Sequence, residues 1–388
     1  MLPARHAVIA ATVFDGETAL RESAVLIEGR RIVWVGPRQA LSPSIPAHVL
    51  PGDTWLVPGF IDVQVNGGGD ALFNAEPNVS TLSRMAAAHR TFGTTAILPT
   101  LITDTCEKMH AGLAAVRTTS VDSGILGIHL EGPFLSPEKP GVHDVGMMRA
   151  PDAEDFELLA SLLPRPTLVT LAPERVPAGF IGRLVAAGVR VSLGHSMATY
   201  TQTRRALDEG LSGFTHLFNA MRPLGSREPG PIAAALENSR AWFGMIADGV
   251  HVDAAMLRLA LRGSASPMLV TDAMPPVGGR LTHFTLNGRR IEVRGACCVR
   301  DDGALAGTAL DMASALRNCV RLLAVPLPVA LRYASSEPAR FLGVDHDLGG
   351  LKTGLRADMV ALEPGAIRVL GTWLGGKWQA AAIECRSQ

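Results

Sequence analysis

The sequence predicts an α/β protein: a (β/α)8 TIM-type barrel with a small β-sandwich domain formed by both chain termini. Three observations carry that expectation. The middle of the chain alternates short apolar runs with helical ones. Its two ends share a strand-and-turn texture that the middle lacks. Polar residues recur at one place, the end of otherwise apolar runs. A chain of 388 residues, 47% hydrophobic and 19% charged, suits one large domain with a smaller companion. Lys+Arg and Asp+Glu both total 36, so no broad attraction to nucleic acid or an anionic membrane is expected. The start "MLPARHAVIAATVF" lacks a signal peptide's long apolar core, and no run approaches the ~18 apolar residues of a membrane span. The five cysteines, Cys106, Cys297, Cys298, Cys319 and Cys385, are odd in number and irregularly spaced. That argues for thiols in a reducing cytoplasm rather than a disulfide framework. Adjacent Cys297 and Cys298 are poorly placed to chelate one metal between them.

Taken in order, "HAVIAATVFDGE" and "SAVLIEGRRIVWVG" read as short strands, and "DMVALEPGAIRVLGTWLGGKWQ" repeats the texture near the other end. Residues 1–55 plus 346–388 are therefore expected to build the small domain, and 56–345 the barrel. "GFIDVQVN" opens the barrel, and "VSTLSRMAAAHRTF" places Leu82, Met85, His89 and Phe92 on one helical face. "TTAILPT", a helical stretch over 107–117, "GILGIHLEG" and helical "DAEDFELLASLL" follow. "PTLVTLAPE", "VRVSLGH", "GFTHLFNAM", "WFGMIADGVHV" and "PMLVTDAM" then alternate with helical runs to complete eight units. A TIM-type barrel typically needs ~250 residues, which the middle supplies. The doubly wound sheet is the rival, but no G-x-G-x-x-G follows the first strand. Residues 275–308 are too long for an ordinary βα loop. They hold "FTLNGRRIEV" around Asn287-Gly288, which predicts a β-hairpin insertion at the barrel mouth. A lid and a surface decoration are both open for it.

Barrel active sites lie at the C-terminal ends of the strands, so polar residues closing apolar strands are informative. Strand one ends in Gln64 and Asn66, strand three in His129 and Glu131, strand five in His195, and strand six in His216 and Asn219. Strand seven ends in Asp248 and His251, and strand eight in Asp272. Burying such groups without partners costs ~2–7 kcal/mol each, which makes their recurrence a signal. Glu131, His195 and His216 form the best metal set, because two imidazoles and a carboxylate with an open fourth position describe catalytic zinc. Each histidine alone reads as a hydrogen-bonded structural residue; their shared placement favours ligands. Asp272, in "LVTDAM", fits a general base and acid for an attacking water. It also fits a helix N-cap, although Pro275 and Pro276 open no obvious helix. His129 reads as structural or as a partner of the ligands. Gln64 and Asn66 share one face at a strand end where many metal hydrolases carry His-x-His. Neutral amides are poor metal ligands beside imidazole, so hydrogen bonding around a single metal is expected of them.

The motifs "VPGFIDVQVNGGG", "GIHLEGPF", "KPGVHD", "SLGHS", "THLFNAM", "REPG", "IADGVHVD", "VTDAM", "LAGTALDM", "SSEPARFLG" and "GLRADMVAL" span essentially the whole chain. In this order they resemble the amidohydrolase superfamily and, within it, the N-acetylglucosamine-6-phosphate deacetylase family in its single-metal Gln-x-Asn form. The resemblance implies hydrolysis of N-acetyl-D-glucosamine 6-phosphate to acetate and the free amine. It implies one divalent metal per subunit on Glu131, His195 and His216, zinc first, with Fe2+, Co2+ or Mn2+ as alternatives. It makes Asp272 the general base and acid and gives His143 the task of holding and polarising the acetamide carbonyl. Asn219 and Ala220 would contact the sugar or its phosphate. His251 and Arg227 would bind the phosphate, with Arg227 supplied by the neighbouring subunit of a homodimer. Leu305 to Thr308, hence Ala306, Gly307 and Thr308, would close on the substrate. Taken alone, Arg227 reads as a surface residue beside Glu228. Three other readings stand beside this one. The galactosamine epimer differs in the orientation of one hydroxyl. A cyclic-amide hydrolase would want His-x-His and a bridging lysine, absent from "VTLAPE". A metal-free binding scaffold is encouraged by the amides at 64 and 66 and opposed by the intact Glu131, His195, His216 and Asp272.

Overall fold

Apolar, β-branched runs in the middle of the chain pair as parallel strands, because each can bury both faces only beneath flanking helices. The computed structural model describes residues 3–381. In it, eight strands hydrogen-bond in chain order: Phe60–Val65, Thr94–Ile102, Ile128–Glu131, Thr167–Leu171, Arg190–Leu193, Gly213–Phe214, Trp242–Met245 and Ser266–Leu269. They are strands one to eight below. Sequential order is that of a barrel, not of a doubly wound sheet. The barrel is nearly closed. Strand eight meets strand one just past its own end, where Val65 pairs with Ala273 and the Asp272 N–H donates to the Gln64 carbonyl at 3.0 Å. Closure thus falls at the mouth and brings Asp272 against Gln64.

The helices begin where side-chain oxygens can satisfy free N–H groups. Asn78 caps Val79–Arg90, Thr105 caps Cys106–Thr118, and Thr199 with Gln202 forms a capping box on Tyr200–Asp208. Leu82, Met85 and His89 are buried along the first of these, as their spacing predicts. Phe92 lies past the helix end and is half-buried against the core.

The two ends of the chain form a separate sheet. It orders Arg5–Phe14, Ala19–Glu28 and Arg31–Pro37 beside Trp55–Pro58, then Met359–Glu363, Arg368–Leu374 and Lys377–Ala380, with Ala47–Val49 on Arg5–Phe14. Its own core gathers Val8, Val25, Ile27, Leu56, Met359 and Trp373. The sheet runs on to Pro58, past the expected boundary at 55, because Trp55–Pro58 pairs antiparallel with Met359–Glu363. Cys385 and the rest of 382–388 lie outside the described residues.

The expected hairpin is half of what the insertion builds. His283–Leu286 and Arg289–Arg294 turn at Asn287-Gly288, and Cys297–Arg300 and Leu305–Thr308 extend them to four antiparallel strands. "LAGT" is therefore the last strand of this sheet rather than a free loop. It returns to the barrel at once: Met274 N–H donates to the Thr308 carbonyl and Thr308 N–H to the Asp272 carbonyl. A glycine-rich bend, Gly67 to Gly69, accommodates that return. A Cβ on Gly67 would lie 2.6 Å from the Ala71 carbonyl oxygen and 2.7 Å from the Pro275 nitrogen.

Candidate active site

Polar side chains at the ends of the strands converge on a cavity of about 200 Å3 at the barrel mouth. Asn66, Glu131, His143, His195, His216, Asn219, Ala220, His251, Asp272, Leu305 and Gly307 line it. His195, His216 and Asp272 all sit at positive φ, 48°, 33° and 49°. Such backbone is costly for residues other than glycine and turns each side chain sharply into the mouth.

Glu131 is the hub. Its Oε1 lies 3.1 Å from His195 Nε2 and 3.1 Å from His216 Nε2, and those two nitrogens are 3.2 Å apart. All three side chains are buried. Burial would raise the Glu131 carboxyl, yet the His195 and His216 imidazoles beside it hold it well below the usual carboxylate range. His195 Nδ1–H donates to the Lys139 carbonyl at 2.8 Å, which leaves the Nε2 lone pair for the shared point. Two imidazole nitrogens and a carboxylate oxygen aimed at one point fit a divalent cation of the zinc class.

The amides face the carboxylates. Asn66 Nδ2 donates to Asp272 Oδ1 at 2.7 Å, and Gln64 Nε2 lies 3.3 Å from both that oxygen and Glu131 Oε2. Burial, then the charge of Glu131, pushes Asp272 up to about 6. His143 Nε2 stands 4.0 Å from Glu131 Oε1. Its Nδ1 accepts from the Thr103 N–H at 3.2 Å, with the Thr103 hydroxyl at 2.8 Å. Nδ1 being an acceptor, the neutral ring carries its proton on Nε2, toward the cavity. Burial, with the charge of His195, holds His143 well below the usual imidazole value, so the ring stays neutral.

The remaining residues singled out in the sequence take places of their own. His129 turns into the barrel between Thr100 and Thr170, at 3.2 and 2.7 Å, and burial lowers it to about 4; its place is structural. Ala306 and Thr308 lie outside the cavity lining, because alternate residues of a strand face opposite ways. Ala306 packs in the inserted sheet's core, and the Thr308 hydroxyl donates to the Thr271 carbonyl at 2.7 Å. Arg227 is exposed after strand six and does not line its own chain's cavity. Sequence reasoning missed Thr103 and Lys139. Thr103 follows an apolar strand and could have been sought there, but Lys139 acts through its backbone carbonyl and leaves no residue signature.

The sequence profile of the amidohydrolase family matches residues 55–379. The chain belongs to the amidohydrolase family. An N-acetylgalactosamine-6-phosphate deacetylase of Shewanella sp. (strain ANA-3) is 43% identical over 337 residues, covering 85% of this chain and 84% of that protein. The N-acetylglucosamine-6-phosphate deacetylase of Haemophilus influenzae is 34% identical over 383 residues, covering 97% and 99%. The crystal structure of N-acetylglucosamine-6-phosphate deacetylase from Pasteurella multocida superposes with a TM-score of 0.93 at 35% identity, covering 97% of this chain and 100% of that one. The resemblance carried by the sequence motifs is borne out, and with it the reading as a metal-dependent hydrolase rather than a metal-free scaffold. No helix among the described residues of this amidohydrolase is long and apolar enough to cross a membrane.

Proposed function

We propose that this amidohydrolase removes the acetyl group of N-acetyl-D-glucosamine 6-phosphate, giving D-glucosamine 6-phosphate and acetate. One observation carries the reading: a base, a proton-bearing imidazole and a three-ligand cation site face one another across a single cavity. Glu131, His195 and His216 hold one divalent cation per subunit, zinc first by donor type, with Fe2+, Co2+ and Mn2+ able to take the same set. When bound, that cation supplies Lewis acidity toward the attacking water and the amide carbonyl. Asp272, oriented by Asn66 and Gln64, takes a proton from the water and delivers it to the departing nitrogen. His143 donates its Nε2–H to the oxygen on which charge develops.

Asn219 and Ala220 border the sugar from the loop after strand six, and His251 takes the phosphate from the loop after strand seven. Arg227 completes the neighbouring subunit's phosphate site in a homodimer; its exposure outside its own cavity supports this. Arginine matches phosphate oxygens bidentately, which a chain without net charge needs locally. A cytoplasmic location belongs to the same proposal and rests on the free thiols of Cys106, Cys297, Cys298 and Cys319. The galactosamine epimer is the second reading, favoured by the 43% identical relative. Acetate release measured on both epimeric 6-phosphates and on unphosphorylated N-acetylglucosamine tests all of this. Equal rates with and without the phosphate would remove the roles of Arg227 and His251; faster release from the galactosamine epimer would move the assignment to it.

A further inference from the structure

Behind the cavity wall, a second group of ligand-type side chains meets. Asp248 and His251 come from the loop after strand seven, and Cys297 opens the third strand of the inserted sheet. Their donor atoms all lie within 4.8 Å of one another. Asp248 Oδ2 is 2.6 Å from His251 Nδ1 and 3.7 Å from Cys297 Sγ. The three are shielded from solvent: the Asp248 and His251 side chains are 0% and 6% exposed, and Cys297 is 5% exposed. Asp248 Oδ1 is fixed by the N–H groups of Val250 and His251, at 2.9 Å each, which aims Oδ2 at the other two donors.

We propose that Asp248, His251 and Cys297 form a second cation site, selective for zinc-class ions, that ties the inserted sheet to the barrel. Ligands ~2.0–2.3 Å from one tetrahedral ion lie ~3.4–3.7 Å apart. The carboxylate-to-sulfur separation, 3.7 Å, already has that value, and the carboxylate-to-imidazole pair must open by ~1 Å. One thiolate, one imidazole and one carboxylate favour Zn2+ over Mg2+ or Ca2+. Binding replaces the thiol proton of Cys297 and the Nδ1 proton of His251; the neutral ring then carries its proton on Nε2, the nitrogen remaining free beside the cavity. The site differs from the Glu131 centre by its sulfur, and that difference makes it testable without any activity assay.

The enzyme carrying its resident cation is titrated with Co2+, and thiolate-to-cobalt charge-transfer absorption is recorded with bound metal per chain. One further cobalt per chain with that absorption is expected in the parent protein. Both should be lost in Cys297→Ser, and Zn2+ should displace the cobalt while Mg2+ does not. Should Cys297→Ser fold poorly, Asp248→Asn must show the same loss of the second ion. No thiolate band in the parent, or a band that survives Cys297→Ser, would overturn the proposal.

Discussion

Asp272 shows how much one residue's task depends on its neighbours. The apolar wall and the charge of Glu131 raise it, while the Asn66 amide holds its orientation. Asp272→Asn keeps the shape, so bound metal should match the parent while turnover falls by ~10²–10⁴, the usual weight of a general acid–base group. Near-normal turnover would exclude Asp272 as the base. Gly307 is a second case. It sits at φ +73°, and an added Cβ would lie 2.8 Å from Met274 Cγ and 2.9 Å from the Asp272 carbonyl oxygen. Gly307→Ala should cost ~1–3 kcal/mol in denaturant unfolding and reduce turnover by shifting Asp272. Unchanged stability would show that the strand can yield there.

At the scale of elements, one carboxylate gathers the backbone at the start of the insertion. Asp70, which follows the glycine-rich bend, accepts from the backbone N–H groups of Arg280 and Leu281 at 2.9–3.0 Å. Hydrogen bonds to a charged group contribute ~1.5–3 kcal/mol each where they are buried and less where, as here, the donors are exposed. Asp70→Ala should therefore speed amide hydrogen exchange across 283–308 and raise KM, with the barrel strands unaffected. Unaltered exchange in that sheet would mean that its other contacts with the barrel, among them the returns to Met274 and Asp272, hold it without Asp70.

At the scale of the whole molecule, the expected homodimer makes a test of its own. If Arg227 serves the partner's cavity, neither Arg227→Ala nor Asp272→Asn supports full activity alone, yet mixed dimers contain one intact site. Co-refolding equal amounts should restore roughly a quarter of parental activity from random pairing of two subunit types. No restoration would place Arg227 in its own chain's site or in none. Stability should also carry a pH signature. Asp62, buried in strand one, is pushed up to about 7 by burial, against hydrogen bonds from Thr271 and the Gln64 N–H. Its ordinary value is 3.8, so between about 4 and 7 the folded chain keeps a proton that the unfolded chain has lost. Stability is fullest below that window and falls as pH rises through it, by at most about 4 kcal/mol. Urea titrations at pH 5 and pH 8 should show this fall, and Asp62→Asn should lessen it.

The barrel and the candidate cation ligands were legible in the sequence because the placement of each strand and strand-end residue is a local pattern. Apolar runs of strand length announce themselves, and a polar residue closing such a run marks the mouth whichever strands become neighbours. The amides at 64 and 66 were legible for the same reason. Only the tertiary structure decided what those patterns could not encode. Alternation along Leu305–Thr308 turns Gly307 to the cavity and Ala306 and Thr308 away, and it depends on where the four-stranded sheet rejoins the barrel at Met274 and Asp272. The Lys139 carbonyl that fixes His195 would be supplied by any residue at that position. Cys297 meets Asp248 across 49 residues of chain, through the packing of an inserted sheet on a barrel loop. Contacts of that range follow from register and closure, which short-range periodicity does not specify.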